Sequence, residues 1–114
     1  VMARAAIEGR VRRCLEMVRL PEYASRMPHQ LSGGQLQRVA IARCLAIEPE
    51  VLFLDEPTAS IDEVNTAIIE NMVLQLRKQG RTLVIMTTHD RDQAARLGDR
   101  LFNFRSGMLV EQRA

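Results

Sequence analysis

The sequence lacks several features that would by themselves assign a function. No run of apolar residues is longer than four, so no segment approaches the ~20 consecutive apolar residues of a membrane-spanning helix. The two cysteines, Cys14 and Cys44, belong to no CxxC pair, which favours buried or half-buried thiols over a metal or redox centre. Lysine occurs only at Lys78, and no GxxxxGK loop followed by Ser or Thr is present. The sequence therefore contains no phosphate loop.

Length and charge further restrict the class of protein to which the chain can belong. With 114 residues and 46% hydrophobic content, the chain can form one small domain or part of a larger one. Sixteen basic and fourteen acidic residues give a net charge of +2, an excess too small to predict a nucleic-acid-binding surface. Because of this small excess, we expect no nucleic acid partner. Nothing in the cysteine pattern indicates an oxidising compartment, so we also expect a cytoplasmic setting.

The spacing of apolar residues predicts an α/β chain. Helical spacing predicts three longer helices, over residues 7–18, from 34 to about 47, and from 64 to a C-cap at 80. Two segments without alternation, 51–55 and 83–87, predict parallel strands that are buried on both faces. A short helix from 90 to 98 and a β-hairpin over 101–111 complete the prediction.

Residues 31–35 read LSGGQ and open the second predicted helix. The unpaired N–H groups of a helix start favour a bound phosphate, and Ser32 can add a hydroxyl. Gly33 and Gly34 let the backbone approach a ligand without a Cβ. A Ser-Gly-Gly turn alone is more often only a helix cap. Here Gln35 and the run QRVAIAR at 37–43 extend it to a much more specific pattern.

Two carboxylates follow the first predicted strand. Asp55 and Glu56 stand at its carboxyl end, where open α/β sheets bind ligands. One of them could simply cap the next turn, but the following run PTASID at 57–62 favours a functional pair. Phosphoryl transfer needs a cation on the phosphate oxygens and an oriented water, which two carboxylates can serve. His89 follows the second strand, and its imidazole can donate to a phosphate oxygen.

These motifs, in this order, resemble the ATP-binding-cassette ATPases over essentially the whole chain. The resemblance implies that Asp55 holds Mg²⁺, that Glu56 polarises the attacking water and that His89 contacts the γ-phosphate of ATP. In that family the LSGGQ turn, residues 31–35 here, is called the signature turn. The signature turn of one subunit closes over ATP that is held by the phosphate loop of its partner. The residues that this implies for nucleotide binding and for the subunit interface are Ser32, Gly33, Gly34, Gln35 and Asp62.

The resemblance also implies a partial domain of the P-loop NTPase α/β fold. Residues 1–47 would form the end of the helical subdomain, and residues 48–114 the back half of the catalytic core with its C-terminal hairpin. The phosphate loop, the aromatic residue that stacks on adenine and the glutamine-bearing loop would precede Val1. We therefore expect the chain alone to bind ATP weakly and to hydrolyse it poorly or not at all.

The signature and the run THD at 88–90 are similar to those of bacterial importers of small solutes. The runs TASID at 58–62 and THDRDQA at 88–94 are similar to oxyanion (tungstate-type) and amino-acid cassettes. This implies a homodimer with transmembrane permease subunits and a solute-binding protein, at the cytoplasmic face of the membrane. Two alternatives stay open: a soluble cassette ATPase acting on nucleic acid or ribosomes, and a non-catalytic truncated cassette. The modest charge disfavours the first, and the intact Glu56 and His89 disfavour the second.

Overall fold

Four α-helices and two small β-sheets make up residues 1–112, the part of the chain that this computed structural model describes. The helices are α1 (Arg4–Met17), α2 (Gly33–Leu45), α3 (Glu63–Gln79) and α4 (Arg91–Leu97). The strands are β1 (Val51–Asp55), β2 (Leu83–Thr87), β3 (Leu101–Arg105) and β4 (Met108–Gln112). The α/β class predicted from the sequence is confirmed.

The segment between α1 and α2 is a connector, as its prolines predict, and it contains two short 3₁₀ turns, Pro21–Tyr23 and Pro28–Gln30. None of the helices within residues 1–112 combines the length and apolar character that a membrane crossing requires. Arg113 and Ala114, the last two residues of the predicted core half, lie outside the described residues.

Strand β1 pairs with β2 in parallel, and α3 connects the two. The register runs from Val51 opposite Leu83 to Asp55 opposite Thr87, without a bulge. The residues that follow both strands therefore lie at one edge of the sheet. Strands β3 and β4 form the predicted antiparallel hairpin. Its two-residue turn, Ser106–Gly107, has positive φ at both positions, which suits the twist of a tight hairpin.

The hydrophobic core forms around α3. Its Ile69 and Met72 are each only 1% exposed, because they are spaced so that one face of the helix packs inward. Side chains from α1, α2, α4 and the inner face of β1 complete a single buried cluster. Its other members are Leu15, Val18, Leu20, Ile41, Ala42, Leu45, Leu52, Leu54, Val73, Leu76 and Leu97.

The prediction that the parallel strands are buried on both faces is wrong for residues 1–112. Leu52 and Leu54 are buried, but Phe53 between them is 72% exposed. Leu83 and Ile85 of β2 are also exposed on that outer face. The reason is that the core lies against one face of the sheet, and nothing within the described residues covers the other. The exposed apolar surface expected of a half-sheet is therefore present.

The cysteine prediction is confirmed for one residue and wrong for the other. Cys14 is half-buried, and its burial raises the pKa of the thiol, although Arg13 and Arg10 act in the opposite direction. Cys44 is exposed, whereas Ile41, Ala42 and Leu45 beside it in α2 are buried.

Helix α3 ends as its sequence predicts. Gly80 adopts a left-handed conformation with φ 67°, and its N–H donates to the carbonyl oxygen of Leu76 at 3.1 Å. A residue with a Cβ is strained in this conformation, whereas glycine is not. The chain therefore leaves α3 sharply and turns into β2.

We expect Gly80→Ala to lower the free energy of unfolding by about 1 kcal/mol, because the left-handed conformation disfavours a Cβ. Apart from chain neighbours, no heavy atom of residues 1–112 lies within 4 Å of the added Cβ, so the loss reports backbone strain alone. Gly9→Ala is the matched control. Gly9 lies inside α1 at negative φ, and alanine there should raise stability by about 0.5 kcal/mol. Urea unfolding followed by circular dichroism compares them; a shift of the same sign in both would contradict this account.

Candidate functional site

The carboxylates Asp55 and Glu56 lie where the paired strands end. The hydroxyl of Thr87 donates to Asp55 Oδ1 at 2.6 Å and accepts the backbone N–H of Glu56 at 3.0 Å. The same N–H lies 3.2 Å from the carbonyl oxygen of Thr87. Glu56 itself has φ 46°, so the chain turns abruptly out of β1 at this residue. Thr87 thus holds both carboxylate-bearing residues at the sheet edge.

His89 contacts Glu56 directly. Its Nδ1 lies 3.0 Å from Glu56 Oε2 and 3.2 Å from Oε1. Because a carboxylate only accepts, Nδ1 must carry the proton in this contact. A neutral ring would then present Nε2 as an acceptor. Donation to a phosphate oxygen from this position therefore requires the imidazolium, or a ring that has turned away from Glu56.

Asp90 has a local role beside His89. Its Oδ1 accepts the N–H groups of Asp92 and Gln93 at 2.9 and 3.1 Å, so it caps α4. Its own N–H donates to the hydroxyl of Thr88 at 3.0 Å. These bonds fix the short segment that carries His89 between β2 and α4.

The sheet edge that carries Asp55 and Glu56 suits a cation that phosphate also binds. It suits less well a metal ion that is bound by protein side chains alone. In residues 1–112, no three His, Cys, Asp or Glu side chains cluster so that they could hold a metal ion. Asp55 could supply one carboxylate oxygen, with phosphate oxygens and water as the other ligands. Mg²⁺ is commonly bound in this way, through one or two carboxylates and the substrate's phosphates.

The signature turn is fixed by a reciprocal cap at the start of α2. Ser32 Oγ accepts the N–H of Gln35 at 3.2 Å, and Gln35 Oε1 accepts the N–H of Ser32 at 2.9 Å. Gln35 Nε2 also donates to the hydroxyl of Tyr23 at 3.2 Å. Both ends of the Gln35 amide are therefore engaged within the protein. The first N–H groups of α2, at Gly33 and Gly34, have no acceptor inside the helix.

Asp62 and the signature turn are connected through Asn65, a residue that the motif analysis missed. Asp62 caps α3: its Oδ1 accepts the Asn65 N–H at 2.8 Å, and its Oδ2 accepts Asn65 Nδ2 at 2.7 Å. These bonds lower the pKa of Asp62. The Asn65 side chain also lies against Gly34, where a Cβ would come within 2.5 Å of Nδ2. The signal in the sequence was a polar residue three positions after an N-cap.

The predicted site residues thus form two groups. Asp55, Glu56 and His89 meet at the sheet edge, and the turn at 32–35 meets Asp62 through Asn65. No hydrogen bond between side chains or backbones of residues 1–112 joins the first group to the second directly. One indirect link is the amide of Gln37, which donates to the carbonyl oxygen of Pro57 at 2.8 Å. The arrangement fits two groups that each form part of a separate site better than it fits one closed pocket.

A protein-family model described as ABC transporter matches residues 3–59, which are 57 of the 114 residues. The chain belongs to the ABC transporter family. The partial cassette fold predicted from the sequence is supported by solved cassettes. Dimeric MJ0796, an ATP-binding cassette in a post-hydrolysis state bound to ADP and Pi, aligns with a TM-score of 0.83 and 35% identity. The alignment covers 99% of this chain and 49% of that one.

Curated relatives of this ABC transporter chain carry import names. The phosphate import ATP-binding protein PstB of Aeropyrum pernix is 47% identical over 93 residues, which are 82% of the chain and 35% of PstB. The spermidine/putrescine import ATP-binding protein PotA of Vibrio cholerae is 44% identical over 105 residues, 92% of the chain and 28% of PotA. The chain thus spans about a third of the length of these relatives.

We expect Gly34→Ala to lower the free energy of unfolding by about 1–3 kcal/mol, because the new Cβ must displace the Asn65 side chain from Asp62. Gly33→Ala is the matched control. Apart from chain neighbours, no heavy atom of residues 1–112 lies within 4 Å of a Cβ there. Its effect should stay within about 0.5 kcal/mol. Urea unfolding measures both, and equal losses would show that Asn65 does not restrict position 34.

The lowered pKa of Asp62 predicts a pH dependence of stability. Because the folded pKa lies below the ordinary 3.8, the charge stabilises the fold above that value. The contribution is lost as the pH falls through the lowered pKa. Asp62→Asn keeps a capping side chain without the charge. The stability advantage over this variant should be constant near neutral pH and shrink below about pH 4. A constant difference down to about pH 2 in urea unfolding would contradict this.

Proposed function

We propose that the chain is part of the ATP-binding and ATP-hydrolysing subunit of an ABC importer. The observation that carries the proposal is the contact between His89 and Glu56 at 3.0 Å, beside Asp55 at the carboxyl edge of two parallel strands. This edge is where open α/β sheets bind ligands. The import names of the curated relatives support the same reading.

In this proposal, Glu56 is the base that orients the attacking water and takes its proton. The side chain is 38% exposed, so water can reach it, and the Thr87 hydroxyl fixes its backbone. His89 holds the carboxylate at rest and turns to the γ-phosphate when nucleotide is present. Asp55 would hold Mg²⁺, which would supply positive charge to the phosphate groups.

The signature turn acts on the nucleotide of a second copy of the subunit. The separation of the site residues into two groups supports this part of the proposal, as does the dimeric form of the MJ0796 cassette. Ser32, Gly33 and Gly34 would present a hydroxyl and free N–H groups to the phosphates. Gln35 keeps that turn in shape, and Asp62 lies beside it at the subunit interface.

The transported solute is chosen outside this segment. Two relatives of similar identity are named for phosphate and for spermidine/putrescine, ligands of opposite charge. The motif similarity favours an oxyanion of the tungstate type or an amino acid. Transmembrane permease subunits, and a solute-binding protein, complete the proposed importer at the cytoplasmic face of the membrane.

Two single variants of the complete cassette test the catalytic assignment. Glu56→Gln should lower kcat at least about a hundredfold and leave ATP binding intact, because the water loses its base while the phosphate contacts stay. Ser32→Arg should also abolish turnover, because the long side chain blocks closure on the partner's phosphate. ATPase assays and equilibrium nucleotide binding measure both effects.

Mixing the two inactive variants tests whether the signature acts across the dimer. In a mixed dimer, the site with an intact Glu56 also receives an intact Ser32 from its partner. When equal amounts of the two chains pair at random, half of the dimers are mixed. Each mixed dimer has one intact site of two, so about a quarter of the unmodified activity should return. The double variant mixed with a Glu56→Gln chain is the control and should stay inactive. No recovery in the first mixture would contradict the proposed arrangement.

A further inference from the structure

Gln93 is a buried polar residue that no motif explains. It lies in the first turn of α4 and is 2% exposed. Its Nε2 donates to Thr58 Oγ1 at 2.8 Å and lies 3.0 Å from Glu70 Oε1. Arg96 donates to the same Glu70 oxygen at 2.8 Å. The amide therefore connects three parts of the chain: the segment after β1, helix α3 and helix α4.

Stability alone is a poor reason for an amide at this position. Its Oε1 is buried and has no hydrogen-bond partner among the described residues. A buried polar atom without a partner costs about 1–3 kcal/mol, and an apolar side chain of the same shape would avoid that cost. Glu70 would still be paired with Arg96. An apolar side chain could replace neither Nε2 bond, and of the two only the bond to Thr58 reaches the segment after β1.

The position of this bond links it to the candidate site. Thr58 follows Glu56 by two residues, and Gln93 follows His89 by four. The contact between His89 and Glu56 is exposed, at 83% and 38% of the two side chains, so it is weak by itself. The part-buried bond between Gln93 and Thr58 joins the same two segments where water competes less.

We propose that Gln93 is a positioning residue, which holds the start of α4, and with it His89, at a fixed place relative to Glu56. The proposal rests on the proposed function for its effect on ATP turnover. Gln93 is 2% exposed, and its side chain bonds to Thr58 and Glu70 within the protein. The loss of Gln93 should therefore change the alignment of His89 with Glu56 and leave the affinity for ATP unchanged.

The test uses Gln93→Met, Thr58→Val and the double variant in the complete cassette. Each single change should lower kcat by up to about tenfold, which corresponds to the loss of one hydrogen bond, with KM for ATP unchanged. The double variant should be no slower than either single one, because both remove the same bond. Arg96→Met is the matched control: it removes the other partner of Glu70, and should leave kcat unchanged.

A second measurement follows the contact between His89 and Glu56 in the absence of ATP. The ¹⁵N shifts of the His89 ring report its contact with Glu56, and should change in Gln93→Met but not in Arg96→Met. Additive losses of kcat, an equal loss in Arg96→Met, or unchanged ring shifts in Gln93→Met would overturn the proposal. If the unmodified cassette did not hydrolyse ATP, the proposed function would fail. The ring shifts would still decide the role of Gln93.

Discussion

The in-register pairing of β1 with β2 is the constraint on which the candidate site depends. It sets Asp55 opposite Thr87, so that one hydroxyl donates to the carboxylate of Asp55 and accepts the N–H of Glu56. A slip of one residue would move the hydroxyl to the other face of the sheet, since side chains alternate along a strand. His89 would then no longer reach Glu56. The chemistry at the edge follows from the alignment of two five-residue strands.

Helix α3 connects β1 to β2 along the chain and also carries a residue of the second site group. Its buried face supplies the centre of the core, and its two ends are fixed by Asp62 and Gly80. The first turn carries Asn65, which lies against Gly34 of the signature turn. One helix thus packs against the covered face of the sheet and also contacts the start of α2.

Three amide side chains to which the motifs assign no role hold the motif residues in place. Asn65 holds Asp62 against the signature turn, Gln37 bonds to the segment after Glu56, and Gln93 bonds to Thr58. Gln37 and Gln93 bond between elements far apart in the chain, and Asn65 does the same through its contact with Gly34. Such a contact leaves no periodic pattern in the sequence, which is why the sequence did not predict these contacts.

The sequence by itself determined the order and the ends of the elements. Apolar spacing, prolines, the caps Ser32 and Asp62 and the left-handed Gly80 act over a few residues, and the structure agrees with them closely. Only the tertiary structure decided which strand face is covered, because burial depends on what packs there; Phe53 therefore lies exposed despite its apolar run. Tertiary structure also decided that His89 meets Glu56 through Nδ1, since that contact requires two strands to pair side by side.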